Sequence, residues 1–143
     1  MRSSVKMASA DPAPTAADAA TAAAERPAAM VRQDAWARAP EMWRGHVPGV
    51  DLGTGVTILF YETTEIGNGP RLHVHPYDEV FIVREGRGRF FVGDKVIDAE
   101  AGDVLMGPAN VPHKFINRGP GKLATTDVHL NDRWIQTNLE DDA

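Results

Sequence analysis

GNGPRLHVHPYDEVFIVREG, from Gly67 to Gly86, and GDVLMGPANVPHKFIN, from Gly102 to Asn117, decide how this chain is read. In the first stretch His73, His75 and Glu79 stand two and four residues apart. Side chains of an extended strand alternate between faces, so all three share one parity. Pro76-Tyr77-Asp78 reads as a turn, and a tight hairpin there returns Glu79 to the two histidines. His113 arrives from the second stretch, its approach set by Pro108 and Pro112. Three neutral imidazoles and one carboxylate form a mixed nitrogen and oxygen donor set that suits one divalent Fe, Mn, Ni, Cu or Zn, whereas Ca and Mg favour oxygen throughout. Four protein ligands on an octahedral ion leave two positions for a substrate, dioxygen or water; a closed structural ion is the competing reading.

Around these stretches the chain falls into short apolar runs ended by Gly, Pro, Asn or Asp. The runs Val56 to Tyr61, Arg71 to His75, Glu79 to Arg84, Arg89 to Val92, Lys95 to Asp98, Val104 to Gly107, His113 to Asn117 and Leu123 to Leu130 read as strands. Gly93-Asp94 is a two-residue hairpin signal, because such a loop needs a positive φ that glycine supplies without a Cβ clash. Short strands joined by tight turns predict an all-β sandwich or barrel.

The two stretches resemble the paired motifs of the cupin superfamily. The first motif, G-x5-H-x-H-x3-E-x6-G, is complete from Gly67 to Gly86. The second, G-x5-P-x-G-x2-H-x3-N, is met from Gly102 to Asn117 with one departure, Asn110 in place of glycine. Asparagine is the residue that best tolerates the left-handed backbone a glycine adopts there. The resemblance implies a jelly-roll β-barrel and a metal-ligand role for His73, His75, Glu79 and His113. It also implies pairing of two copies through a barrel edge, hence a homodimer.

Size and composition agree with that reading. The chain has 143 residues, room for one domain, with 43% apolar residues and no cysteine, so neither a disulfide framework nor a thiolate site is available. The net charge is −5 and no Lys/Arg cluster stands ready to neutralise phosphates, which argues against nucleic acid. Residues 1–30, rich in Ala, Pro, Ser and Thr, read as a disordered or loosely helical leader without a signal-peptide core or membrane span. Residues 31–55, carrying Trp36, Met42 and Trp43, read as an arm against the barrel, and residues 56–143 as the barrel itself. A cytoplasmic location is expected.

Four other groups of residues bear on the site. His129 shares a strand parity with Asp127 and Thr125. The opposite parity of Ala124, Thr126, Val128 and Leu130 looks like core, which puts the polar face toward solvent, with the pocket as the alternative. In the pocket, His129 is the candidate catalytic acid or base. His46 is expected at the surface, and Arg84, Arg87 and Arg89 at a solvated turn. Phe81, Phe91, Met106 and Phe115 are expected to fill the barrel, some as an apolar wall beside the ion.

Three functions fit. The first is a metal-dependent enzyme of oxygenase type, acting on a small oxygenated organic molecule that chelates the ion; related cupins extend this to isomerase, lyase or decarboxylase chemistry. The second is a non-catalytic module that binds a small molecule or metal. The third is a structural, storage-like role, disfavoured by the intact ligand set. Because imidazoles must be neutral to coordinate, the ion should leave below about pH 6.

Overall fold

A computed structural model describes residues 15–16 and 26–140 of the chain. The predicted leader, residues 1–30, lies outside them except at 15–16 and 26–30. Ten strands follow in chain order: β1 (Gly45–Val47), β2 (Thr57–Thr63), β3 (His73–Val74), β4 (Glu79–Glu85), β5 (Arg87–Val92), β6 (Lys95–Glu100), β7 (Val104–Gly107), β8 (His113–Asn117), β9 (Leu123–His129) and β10 (Thr137–Asn138). Two single-turn helices, α1 (Gln33–Trp36) and α2 (Gly49–Leu52), precede and follow β1. The strands form two five-stranded sheets, β1-β2-β9-β4-β7 and β10-β3-β8-β5-β6, with antiparallel pairing throughout. This is the predicted all-β jelly roll, extended by one edge strand on each sheet, β1 and β10. No helix among the described residues is long and apolar enough to cross a membrane.

Strand parity sorts the interior into layers. Along β4, Glu79, Phe81 and Val83 are buried; along β8, His113, Phe115 and Asn117; along β9, Leu123, Thr125, Asp127 and His129. Register then aligns these buried positions across neighbouring strands. Glu79 lies opposite His129, Phe81 opposite Asp127 and Phe90 opposite Phe115. One end of the barrel is therefore polar and the other apolar, where Phe81, Val83, Phe90, Val92, Ala99, Phe115 and Leu123 form the core. Phe90 stacks on Phe115 with ring centroids 4.9 Å apart, a geometry that adds to the area term.

The local expectations at the turns hold. Val92 pairs with Lys95 across Gly93-Asp94, and Gly93 takes φ 58°. Asn110 takes φ 65°, the left-handed backbone that the motif glycine would supply. At Pro76-Tyr77-Asp78 the outcome differs from a hairpin: β3 and β4 belong to opposite sheets, so this turn carries the chain across the barrel. The arm lies on the outer face of the first sheet, where Trp36 and Trp43 pack on Phe60 at 4.3 and 5.2 Å, and the Arg84 guanidinium lies 5.1 Å from the Trp43 ring. Arg84 stays exposed, as expected, with its guanidinium over this aromatic platform.

Three side-chain assignments are corrected. Phe90, not Phe91, is buried, because register with β8 pairs Phe90 with Phe115 and sends Phe91 outward beside Lys114. Met106 pairs with Val80 on the outer face of β7 and is exposed. On β9 the polar parity faces inward: Thr125, Asp127 and His129 are buried, and Leu130 is exposed. A polar site occupies that end of the barrel, so apolar character does not mark the inner face there.

Candidate metal centre

Four strands from both sheets bring the site together. β3 and the residue just past it deliver His73 and His75, and β8 delivers His113, placed opposite His73 in register. From the facing sheet β4 delivers Glu79 and β9 delivers His129, again in register with each other. All five side chains are buried. The ligand atoms of His73, His75, Glu79 and His113 lie within 4.8 Å of one another.

Hydrogen bonds set which ring nitrogen faces inward. His73 Nδ1–H donates to the Arg71 carbonyl at 2.5 Å and His75 Nδ1–H to the Ile135 carbonyl at 2.7 Å. Both rings therefore carry their proton on Nδ1 and offer the Nε2 lone pair to the interior. His113 turns Nε2 toward Glu79 at 3.1 Å, while its buried Nδ1 has no hydrogen-bond partner. Gly107 makes room for this ring, since a Cβ there would stand 3.2 Å from His113 Nδ1 and 3.2 Å from Phe81.

The donor set fits a transition metal. His75 Nε2 is 2.9 Å from Glu79 Oε1, yet it is buried without a properly aligned hydrogen bond. A deprotonated nitrogen beside a carboxylate oxygen needs a cation between them, or the two lone pairs repel. Ligands about 2.1 Å from an ion stand roughly 3 Å apart when adjacent. The separations of His75 and His113 from Glu79, 2.9 and 3.1 Å, match that spacing.

His129 plays a different part from the four. Its Nε2 lies 3.2 Å from Glu79 Oε1, and its Nδ1 lies 2.7 Å from the Tyr77 hydroxyl. Tyr77 Oη accepts the Ile135 N–H at 3.1 Å, with the Ile135 carbonyl at 3.2 Å. Oη donates to that carbonyl and shares its shorter hydrogen bond with His129 Nδ1, which orients the ring so that Nε2 faces Glu79. His129 therefore stands beside the four-residue cluster with its Nε2 against Glu79. Sequence reasoning missed Tyr77 as its partner, although the residue stands within the first motif.

Electrostatics follow from burial and contacts. Burial alone raises the Glu79 carboxyl, but its contacts with His113, His129 and His75 outweigh this and hold it well below the ordinary range. Burial lowers His73 to about 4, with the Arg71 carbonyl opposing, so the ring is neutral at pH 7. Asp127 moves the other way, raised first by burial and then by the Glu79 charge. Its Oδ2 accepts from Thr125 Oγ1 at 3.3 Å, and its Oδ1 is buried without a partner.

A cavity of about 390 Å³ opens onto this cluster. His73, Glu79, Asp127 and His129 contribute to its lining, and Arg38, Arg44 and Arg71 line it too. His46, expected at the surface, is half-buried in the same wall, its ring 5.0 Å from Trp134, because β1 places it in register with the inward-facing Leu59. Burial, and after it the charge of Arg38, lowers the His46 pKa.

Residues 60–129 match the cupin domain family. A search of curated proteins finds no match. Among solved structures the fold is similar to Bacillus subtilis oxalate decarboxylase. One such structure, from work on its Mn(II) centres, has a TM-score of 0.62 at 20% identity, covering 66% of this chain and 27% of that one. A second, at pH 4.6, has a TM-score of 0.61 at 20% identity over the same shares. The chain thus spans about a quarter of the length of those decarboxylase chains, and the likeness is one of fold. The motif residues, the jelly roll and the family match agree, and residues 60–129 of the chain form a cupin domain.

Proposed function

We propose that the chain is a metal-dependent enzyme of oxygenase type, acting on a small oxygenated organic molecule that chelates the ion. His73, His75, Glu79 and His113 are the ligands in this reading, and His129 is the catalytic acid or base. The supporting observation is the cavity: about 390 Å³ of space reaches His73, Glu79 and His129 from outside, whereas a purely structural ion needs no access. When bound, the ion supplies a Lewis acid and, as Fe, Mn, Ni or Cu, a route for electrons to dioxygen. The residues around it have separate tasks. Glu79 supplies the negative charge of the donor set and the imidazoles its nitrogens, Tyr77 orients His129, and His129 Nε2 faces the space where a substrate oxygen would sit. The barrel walls, including Phe115 and Leu59, exclude water from the remainder.

Oxygen uptake tests this. The metal-loaded chain is expected to consume oxygen with at least one member of a panel of diketones, catechols, flavonols and keto acids. Activity and ion should disappear together in His75→Ala. Stoichiometric binding of panel members without turnover would instead establish the binding-module reading, and product formation without oxygen uptake the isomerase, lyase or decarboxylase one.

A further inference from the structure

We propose that the ligand of this cavity is a small organic anion, whose carboxylate is read at the mouth by Arg38 and Arg44. The inference rests on the same site as the proposed function and names its substrate class. The chain carries a net charge of −5, yet the residues lining its cavity reverse that sign. Arg38, Arg44 and Arg71 line it, and the acids among the described lining residues are Glu79 and Asp127. Both of those are buried at the base, Glu79 against three imidazoles, so neither stands at the mouth as a counter-charge. Cations gathered at the entrance of a low-dielectric recess raise the local concentration of anions.

The arm builds this feature deliberately in backbone terms. Ala37 bridges Gly45, and the Arg38 N–H donates to the Arg44 carbonyl at 2.8 Å, so the two arginines sit side by side on the edge of the first sheet. Gly45 permits the approach: its φ is 151°, and a Cβ there would fall 2.0 Å from the Trp36 carbonyl oxygen. The Arg44 guanidinium lies 4.9 Å from the ring of Tyr61, whose side chain also lines the cavity. A stacked guanidinium keeps its edge donors for a second partner, and its planar fork matches a carboxylate. Two such groups at the mouth and an ion site at the base suit a molecule with a carboxylate at one end and a chelating oxygen at the other.

Matched acids and esters test this. Benzoylformate, mandelate and 3-phenylpropionate, each beside its methyl ester, are titrated calorimetrically into the full chain, both Mn-loaded and metal-free. At least one acid is expected to bind about tenfold or more tightly than its ester, as charge-assisted hydrogen bonds from arginine imply. In the Arg38→Gln, Arg44→Gln double variant that preference should fall to within about twofold, with metal content unchanged, and raised salt should weaken the acid more than the ester. Equal binding of every acid and ester, no acid binding, or a preference that survives the double substitution would each overturn the inference. An arginine-dependent preference in metal-free protein upholds it whatever the ion does, so its fate is separable from that of the enzymatic reading.

Discussion

Replacing Tyr77 with Phe isolates the hydrogen bonds that fix His129. The phenol ring is buried, and Phe retains it, so no cavity opens. What is lost is one oxygen that hydrogen-bonds His129 Nδ1 at 2.7 Å, accepts from Ile135 N–H at 3.1 Å and donates to the Ile135 carbonyl at 3.2 Å. His129 is 1% exposed, so its Nδ1 is left without water or a protein partner, which costs about 1–3 kcal/mol. Ile135 is exposed, and its N–H can turn to solvent at a cost well below about 1 kcal/mol. The sum is about 2 kcal/mol, or roughly a thirtyfold fall in the folding constant. Urea denaturation of the metal-free protein reads it directly, with an unchanged slope expected because the surface exposed on unfolding is the same. Nitrogen NMR of the His129 ring supplies the second readout. Wild type should show a single tautomer, held by the contact with Tyr77, and Tyr77→Phe a mixture of the two. A loss below about 0.5 kcal/mol together with an unaltered tautomer would refute the reasoning.

Two further expectations concern pH and assembly. In metal-free protein the His73 ring should titrate at about 4, against about 6.5 once unfolded, and an NMR midpoint near 6.5 would contradict the burial argument. The unfolded ring takes up a proton that the folded ring refuses, so this group withdraws stability as the pH falls from 6.5 to about 4, by about 3 kcal/mol in all. Asp127, whose folded pKa is raised, acts in the opposite sense, which is why the ring itself is the better readout. Edge strands β6 and β7 expose Val96 at 61% and Val104 at 64%, with Ile97 and Met106 beside them, and unpaired apolar edges favour pairing. Light scattering is expected to return the mass of a homodimer; a monomer mass would refute this.

The cluster of His73, His75, Glu79 and His113 was legible because it is written as spacing. His73 and His75 share a strand parity, and the eight expected strands all form, two of them, Val104 to Gly107 and His113 to Asn117, with unchanged bounds. Parity failed where both faces had a claim to burial. Phe90 and Phe91 are adjacent and equally apolar, and the pairing with β8, a long-range fact, chooses between them. On β9 the rule that apolar residues point inward misreads the strand, because His129, Asp127 and Thr125 line a site and are held by Glu79, Tyr77 and one another. The crossing at Pro76-Tyr77-Asp78 and the small strands β1 and β10 have no local signature, since two or three residues make no period. His46 and the arginines of the arm reach the cavity through β1, so their place was equally hidden.

Metal stoichiometry tests the central claim most directly. Dialysed to equilibrium with Mn, Fe, Ni, Cu or Zn and assayed by mass spectrometry, the wild-type chain should hold one ion, keep it against an excess of Ca or Mg, and release it as His73 and its neighbours are forced to protonate in acid. His75→Ala and Glu79→Ala, checked by circular dichroism to be folded, should hold about a tenth or less under the same conditions. A folded wild-type chain that takes up none of these ions, or folded variants that keep a full complement, would contradict the account.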